Sequence, residues 1–118
     1  MNIKKFAELS EFSPDTLKYY EKIGLFVNIK RDTRGYRDYS EKELEWARFL
    51  KRLKSTDMSV DGMKYYAELY RLGDSTISER RKMLEEHHTK VLDNINKMSK
   101  TLEIINKKIE LYKKREKN

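Results

Sequence analysis

Ser13-Pro14-Asp15-Thr16-Leu17-Lys18-Tyr19-Tyr20-Glu21-Lys22-Ile23-Gly24-Leu25 is a short helix written with its own start and stop. Ser13 can cap the free amides of the first turn, and Pro14 suits the first helical position because its missing N–H would have no partner there. Gly24 supplies a left-handed stop. Leu17, Tyr20 and Ile23 recur every three residues and face a core. Lys18, Tyr19 and Lys22 then point outward, and a helix presenting Lys and Tyr to solvent is suited to phosphates and base edges. Taken alone, most such helices are only solvated surface.

The next segment shifts that balance. Lys30-Arg31-Asp32-Thr33-Arg34-Gly35-Tyr36-Arg37-Asp38-Tyr39 reads as a small hairpin, with a tight turn at Gly35 and extended backbone favoured by Tyr36 and Tyr39. Its residues 30–37 hold four cations against one anion. A basic hairpin beside a basic helix makes two contact points along one duplex backbone, whereas a hairpin serving only as a charged edge would need no such neighbour.

Three ordered motifs give a more specific signal: Thr16 to Leu25, Gly35-Tyr36-Arg37-Asp38-Tyr39-Ser40, and Phe49-Leu50-Lys51-Arg52-Leu53-Lys54. In these motifs and their spacing, residues 3–73 resemble the DNA-binding domain of the MerR family of bacterial transcription regulators. The resemblance implies a mainly α fold: a winged helix-turn-helix head with a small β-hairpin wing, and a long dimerisation helix. It places Thr16, Lys18 and Tyr19 at major-groove and phosphate-contact positions, with Ser13, Asp15 and Lys22 beside them, and assigns Arg34, Tyr36 and Arg37 to the wing. Lys18 stands where the family more often has Arg, which gives up bidentate guanine recognition. Glu11 and Asp57 occupy turn positions where the family usually has Gly.

At 118 residues, 40% charged and 37% hydrophobic, the chain has limited apolar surface for a compact monomer. It has no cysteine, which fits a reducing cytoplasm and removes thiolate metal sites and cysteine nucleophiles. No apolar run approaches the roughly 20 residues that span a bilayer, and no signal-peptide pattern opens the chain. The net charge of +7 is unevenly placed: residues 1–40 carry +2, residues 41–74 carry none, and residues 75–118 carry +5. Most of the excess lies away from the reading helix and adds sequence-independent attraction to DNA.

Ser40 with Glu43 predicts a capping box, followed by a helix with Leu44, Ala47, Phe49, Leu50 and Leu53 inward and Trp46 at the margin. A second helix is expected from Ser59 to about Leu72, with Val60, Met63 and Ala67 in the core. Tyr65, Tyr66 and Tyr70 cluster on it. They are ordinary packing residues or the walls of a small-molecule effector pocket. Gly73-Asp74 breaks the chain, and Thr76 with Glu79 predicts a second capping box.

Two domains follow: a head over 1–74 and a dimerisation helix over 75–118. That last segment has neither Gly nor Pro. Ile77, Leu84, Val91, Met98, Ile105 and Tyr112 repeat every seven residues, as do Arg81, His88, Ile95, Leu102 and Ile109. The alternating spacing is a heptad seam that needs a partner helix, and a homodimer is the expected result. A parallel pair would set Lys108 against the mate's Lys113 and Arg80 against Glu85, whereas an antiparallel pair centred near Met98–Ser99 sets Glu85 near that lysine. The resemblance also implies an antiparallel coil, which holds two heads apart for a palindrome read in major grooves about 34 Å apart. His87 and His88 face different directions and have no ligand partner four residues away. His88 is therefore a polar seam residue, and no metal or other cofactor is expected.

The function implied by the resemblance is that of a homodimeric regulator that binds double-stranded promoter DNA and distorts its operator, acting on RNA polymerase indirectly through the promoter; a simple repressor is a variant. Family members often carry a further ligand domain or cysteine metal loop, and neither is expected here: either a small ligand sits between the head and the coil, or there is no ligand. A coiled-coil interaction protein with a basic head is the alternative. No nucleophile with a base, metal-ligand spacing or glycine-rich phosphate loop suggests an enzyme.

Overall fold

The computed structural model describes residues 1–118. In chain order the elements are α1 (Ile3–Ser10), α2 (Pro14–Lys22), β1 (Lys30–Arg31), β2 (Arg37–Asp38), α3 (Glu41–Ser55), α4 (Val60–Arg71), a 3-10 turn (Asp74–Thr76) and α5 (Ile77–Glu116). The fold is mainly helical with one antiparallel hairpin, Lys30 opposite Asp38 and Arg31 opposite Arg37. Two compact units divide the chain, Met1–Arg80 and Arg81–Asn118.

In the first unit, Phe6, Leu17, Leu25, Leu50 and Met63 are almost wholly enclosed, one or more from each helix and from the loop after α2. Phe6 stacks on Tyr39 with ring centroids 4.1 Å apart, which joins α1 to the end of the wing. Burial of these apolar side chains supplies most of the cohesion of so small a head, and the ring stack adds to it.

The helix starts follow their local chemistry. The Ser13 hydroxyl accepts the Thr16 amide, with Pro14 at the first helical position. The Ser40–Glu43 capping box is complete: Ser40 Oγ accepts the Glu43 amide and the Glu43 carboxylate accepts the Ser40 amide. Ser59 caps α4 through the Gly62 amide. Turns requiring left-handed backbone occur at Gly24 (φ +89), and also at Glu11 (φ 63) and Asp57 (φ 68), which carry side chains.

Two expectations are corrected. Thr76 and Glu79 do not form a capping box. The 3-10 turn leads straight into α5, so Thr76 already has helical backbone and donates its hydroxyl to the Leu69 carbonyl, while Glu79 accepts the Tyr65 hydroxyl. Val60 is exposed rather than in the core, because the buried face of α4 falls at Met63, Tyr66, Ala67 and Leu69.

In the second unit, α5 continues as unbroken helix, and none of its 40 residues is buried. Leu84 and Val91 are half-buried; His88, Ile95, Met98, Leu102, Ile105, Ile109 and Tyr112 are exposed. No helix is long and apolar enough to cross a membrane.

Candidate nucleic-acid interface

The exposed side of α2 carries Asp15, Lys18, Tyr19 and Lys22, with Thr16 half-buried. The spacing of three that turns Leu17 and Tyr20 inward leaves these positions outside, and Tyr19 is 53% exposed. Ser13 and Thr16 are already engaged with each other, the Ser13 hydroxyl donating to Thr16 Oγ1 at 2.9 Å. Their first use is therefore to hold the start of the helix.

The end of α2 is tied down from three directions. Trp46 of α3 donates its indole N–H to the Leu25 carbonyl at 2.7 Å, and Arg71 of α4 donates to the Gly24 carbonyl at 3.2 Å. Glu21 accepts Arg37 Nε of β2 at 2.8 Å. The start is braced as well: Lys51 of α3 donates to the Glu11 carbonyl in the turn between α1 and α2, at 2.9 Å. The helix is thus a rigid element of the kind a reading head requires.

The wing is organised by Asp32. Its carboxylate accepts the backbone amides of Arg34 and Tyr36, at 2.9 and 3.0 Å. The Tyr36 amide above all holds this carboxyl below its usual range; burial opposes it, and the Arg34 amide and guanidinium add to the lowering. Gly35 takes φ +87 at the tip, a conformation that side chains rarely adopt. The result displays Arg34 and Tyr36 outward, the guanidinium 5.4 Å from the ring centroid.

Helix and wing enclose an open groove of about 590 Å³, lined by Lys18, Arg31, Arg34, Tyr36 and Arg37, among others. Four cations against the two carboxylates of Asp32 and Asp38 on the walls of one groove leave an excess of positive charge that suits a polyanion. The structure therefore brings Lys18 of α2 together with the three wing residues Arg34, Tyr36 and Arg37.

Of the three tyrosines of α4, Tyr66 and Tyr70 both stack on Trp46, with ring centroids 6.0 and 5.0 Å away, whereas Tyr65 meets Glu79. Tyr66 is buried, and Tyr70 lines a cavity of about 360 Å³ with Phe26, Val27, Trp46 and Ala67. The Glu79 charge raises the Tyr65 hydroxyl above its ordinary pKa. The bracing roles of Trp46, Arg71, Lys51 and Glu21 were not readable from sequence. No group of His, Asp or Glu is placed to hold a metal ion.

A helix-turn-helix whose second helix stands beside a charged hairpin wing defines the chain as a winged helix-turn-helix protein. Residues 1–68 match the MerR HTH family regulatory proteins. An uncharacterized HTH-type transcriptional regulator of Haemophilus influenzae is 36% identical over 93% of this chain and 82% of its own length. The regulator AdhR of Bacillus subtilis is 31% identical over 79% of this chain and 66% of its own length. Among solved structures, HiNmlR, a MerR family regulator lacking the sensor domain and bound to promoter DNA, superposes with a TM-score of 0.88 at 35% identity, covering 96% of this chain and 90% of that one. A MerR family regulator from Listeria monocytogenes gives 0.88 at 31% identity, over 95% and 85% of the two chains. The chain belongs to the MerR family of DNA-binding transcription regulators.

Proposed function

We propose that the chain is a homodimeric, sequence-specific regulator that grips a palindromic promoter operator and bends and untwists it, so that RNA polymerase responds to the altered promoter. The observation that carries this reading is the basic groove between α2 and the wing, with Lys18, Arg34 and Arg37 on its walls. In this reading α2 enters the major groove, where Lys18, Tyr19 and Lys22 meet base edges and phosphates, with Asp15 and Thr16 at the helix start. The tip residues Arg34 and Tyr36 lie along the flanking backbone. The promoter-DNA complex of HiNmlR supports the same assignment by similarity.

The dimer is supported by α5, which buries no residue within one chain although its seam repeats through Leu84, His88, Val91, Ile95, Met98, Leu102, Ile105, Ile109 and Tyr112. Apolar area left in water over five heptads is a strong drive to pair. An antiparallel coil would set two heads to read half-sites related by a two-fold axis.

The test is selection of fragments of the source genome on the full-length chain, followed by competition against random duplex. A specific regulator should prefer its best fragment by about three or more powers of ten at physiological salt. No enrichment over random duplex would remove sequence-specific regulation and leave the coiled coil as the functional part.

A further inference from the structure

Arg31 and Arg37 stand directly opposite each other in the wing ladder. Like charges in that relation repel. The ladder itself has only two residues on each strand, and a lone two-stranded hairpin is marginal in water. Something outside the hairpin must neutralise the pair and fix it in place, and that group is Glu21. Its Oε2 accepts Arg37 Nε at 2.8 Å, and its Oε1 lies 3.8 Å from the Arg31 guanidinium. One carboxylate near the end of α2 thus spans both strands of the wing.

The degree of exposure separates the wing arginines. The Arg34 side chain is 78% exposed and the Arg31 side chain 48%, whereas Arg37 is 24% exposed and Glu21 22%. A half-buried ion pair with a short, directed hydrogen bond is worth more than a surface pair, and removing one member leaves the other unpaired. Arg37 is held inward by Glu21, while Arg34 stands at the tip with only a solvent-exposed contact to Asp32, at 3.6 Å, that a phosphate can replace.

We propose that Glu21 is a positioning residue for DNA binding: it latches the wing to the recognition helix, and Arg37 acts through this latch rather than as a phosphate ligand. The inference rests on the DNA-binding reading above. With the latch closed, the distance between the groove-entering helix and the backbone-gripping tip is fixed before DNA arrives, so less ordering is required on binding.

The test uses the full-length chain, the operator fragment recovered by selection, and a random duplex of equal length, titrated over a range of salt. Glu21→Gln keeps the size of the side chain and removes its charge. It should weaken operator binding about tenfold, the scale of coupling between contacting charged residues. Random-duplex binding should stay the same or tighten, because the loss of one carboxylate raises the net charge by one. Such opposite movement would not come from misfolding. Arg37→Gln should weaken operator binding similarly without changing the salt slope, and the double variant should be no worse than either single one.

Unchanged operator affinity in Glu21→Gln would overturn the latch. So would an Arg37→Gln variant whose salt slope falls by about one and whose loss adds to that of Glu21→Gln, the signature of an independent phosphate contact. A wild-type chain that prefers no fragment over random duplex would instead refute the DNA-binding reading itself.

Discussion

Tyr39 is 2% exposed, and its buried hydroxyl meets no hydrogen-bond partner. The ring contributes through its stack on Phe6, so the oxygen is a cost carried for the sake of the ring. Tyr39→Phe should therefore stabilise the chain by about 1–3 kcal/mol in urea unfolding, since removing an unsatisfied buried group recovers its desolvation cost. Burial also holds the Tyr39 hydroxyl above its ordinary pKa. The folded chain keeps a proton that the unfolded chain loses at about pH 10. Wild-type stability is thus complete below that pH and declines as pH rises towards the elevated value, and Tyr39→Phe should show less of this alkaline loss in unfolding curves recorded from pH 8 to 11. At Glu11, a φ of 63 strains a side-chain-bearing residue in a turn that the Lys51 ammonium clamps through the backbone. Glu11→Gly relieves the strain while keeping that carbonyl contact, and should raise the unfolding free energy by about 1 kcal/mol. The Tyr39 effect was not visible in the sequence, whereas Glu11 at a turn position where the family usually has Gly already pointed to the strain. A tyrosine in a wing motif gives no sign of where its hydroxyl will point, and Glu at a turn reads as a defect until its clamp is found 40 residues away.

The elements were largely legible because their signals are local. Ser13-Pro14, the Ser40–Glu43 box and Ser59 each act within one turn of helix, and the structure uses all three. Gly35 marked the wing turn for the same reason. The Thr76–Glu79 pattern misled because a capping box needs extended backbone at its first residue, and a 3-10 turn enters α5 there instead. Val60 misled because it sits at the edge of a buried stripe that begins at Met63. Contacts between elements were not legible: Trp46 with Leu25 and Arg71 with Gly24 join residues 21 and 47 apart, and no spacing rule selects such partners. For α5, a seam charge is the sharpest probe. Leu102→Asp would place a carboxylate in the proposed dimer seam, where it would be desolvated without a partner. Sedimentation should then show the wild type as a dimer and the variant shifted to monomer. A wild type that sediments as monomer at micromolar concentration would contradict the seam.

Across the whole molecule, the charge distribution divides the work. Residues 75–118 hold +5 of the net +7, while the groove between α2 and the wing concentrates a few cations where geometry can use them. In the proposed reading, general attraction to DNA depends on the total, and sequence preference on the groove. Substituting Lys18 with Ala should cut the preference for operator over random duplex, since a base-edge contact is worth about 1–3 kcal/mol, with competition binding as the readout. Removing three of the lysines near the end of α5 should instead weaken both duplexes alike. In the proposed reading, two copies hold one operator through paired heads and distort its centre. Hydroxyl-radical and permanganate footprinting on the selected fragment tests this most directly. Two protected half-sites related by a two-fold axis and about one helical turn apart are expected, with hyperreactive bases between them. A single protected block, or two blocks with an unreactive centre, would contradict it.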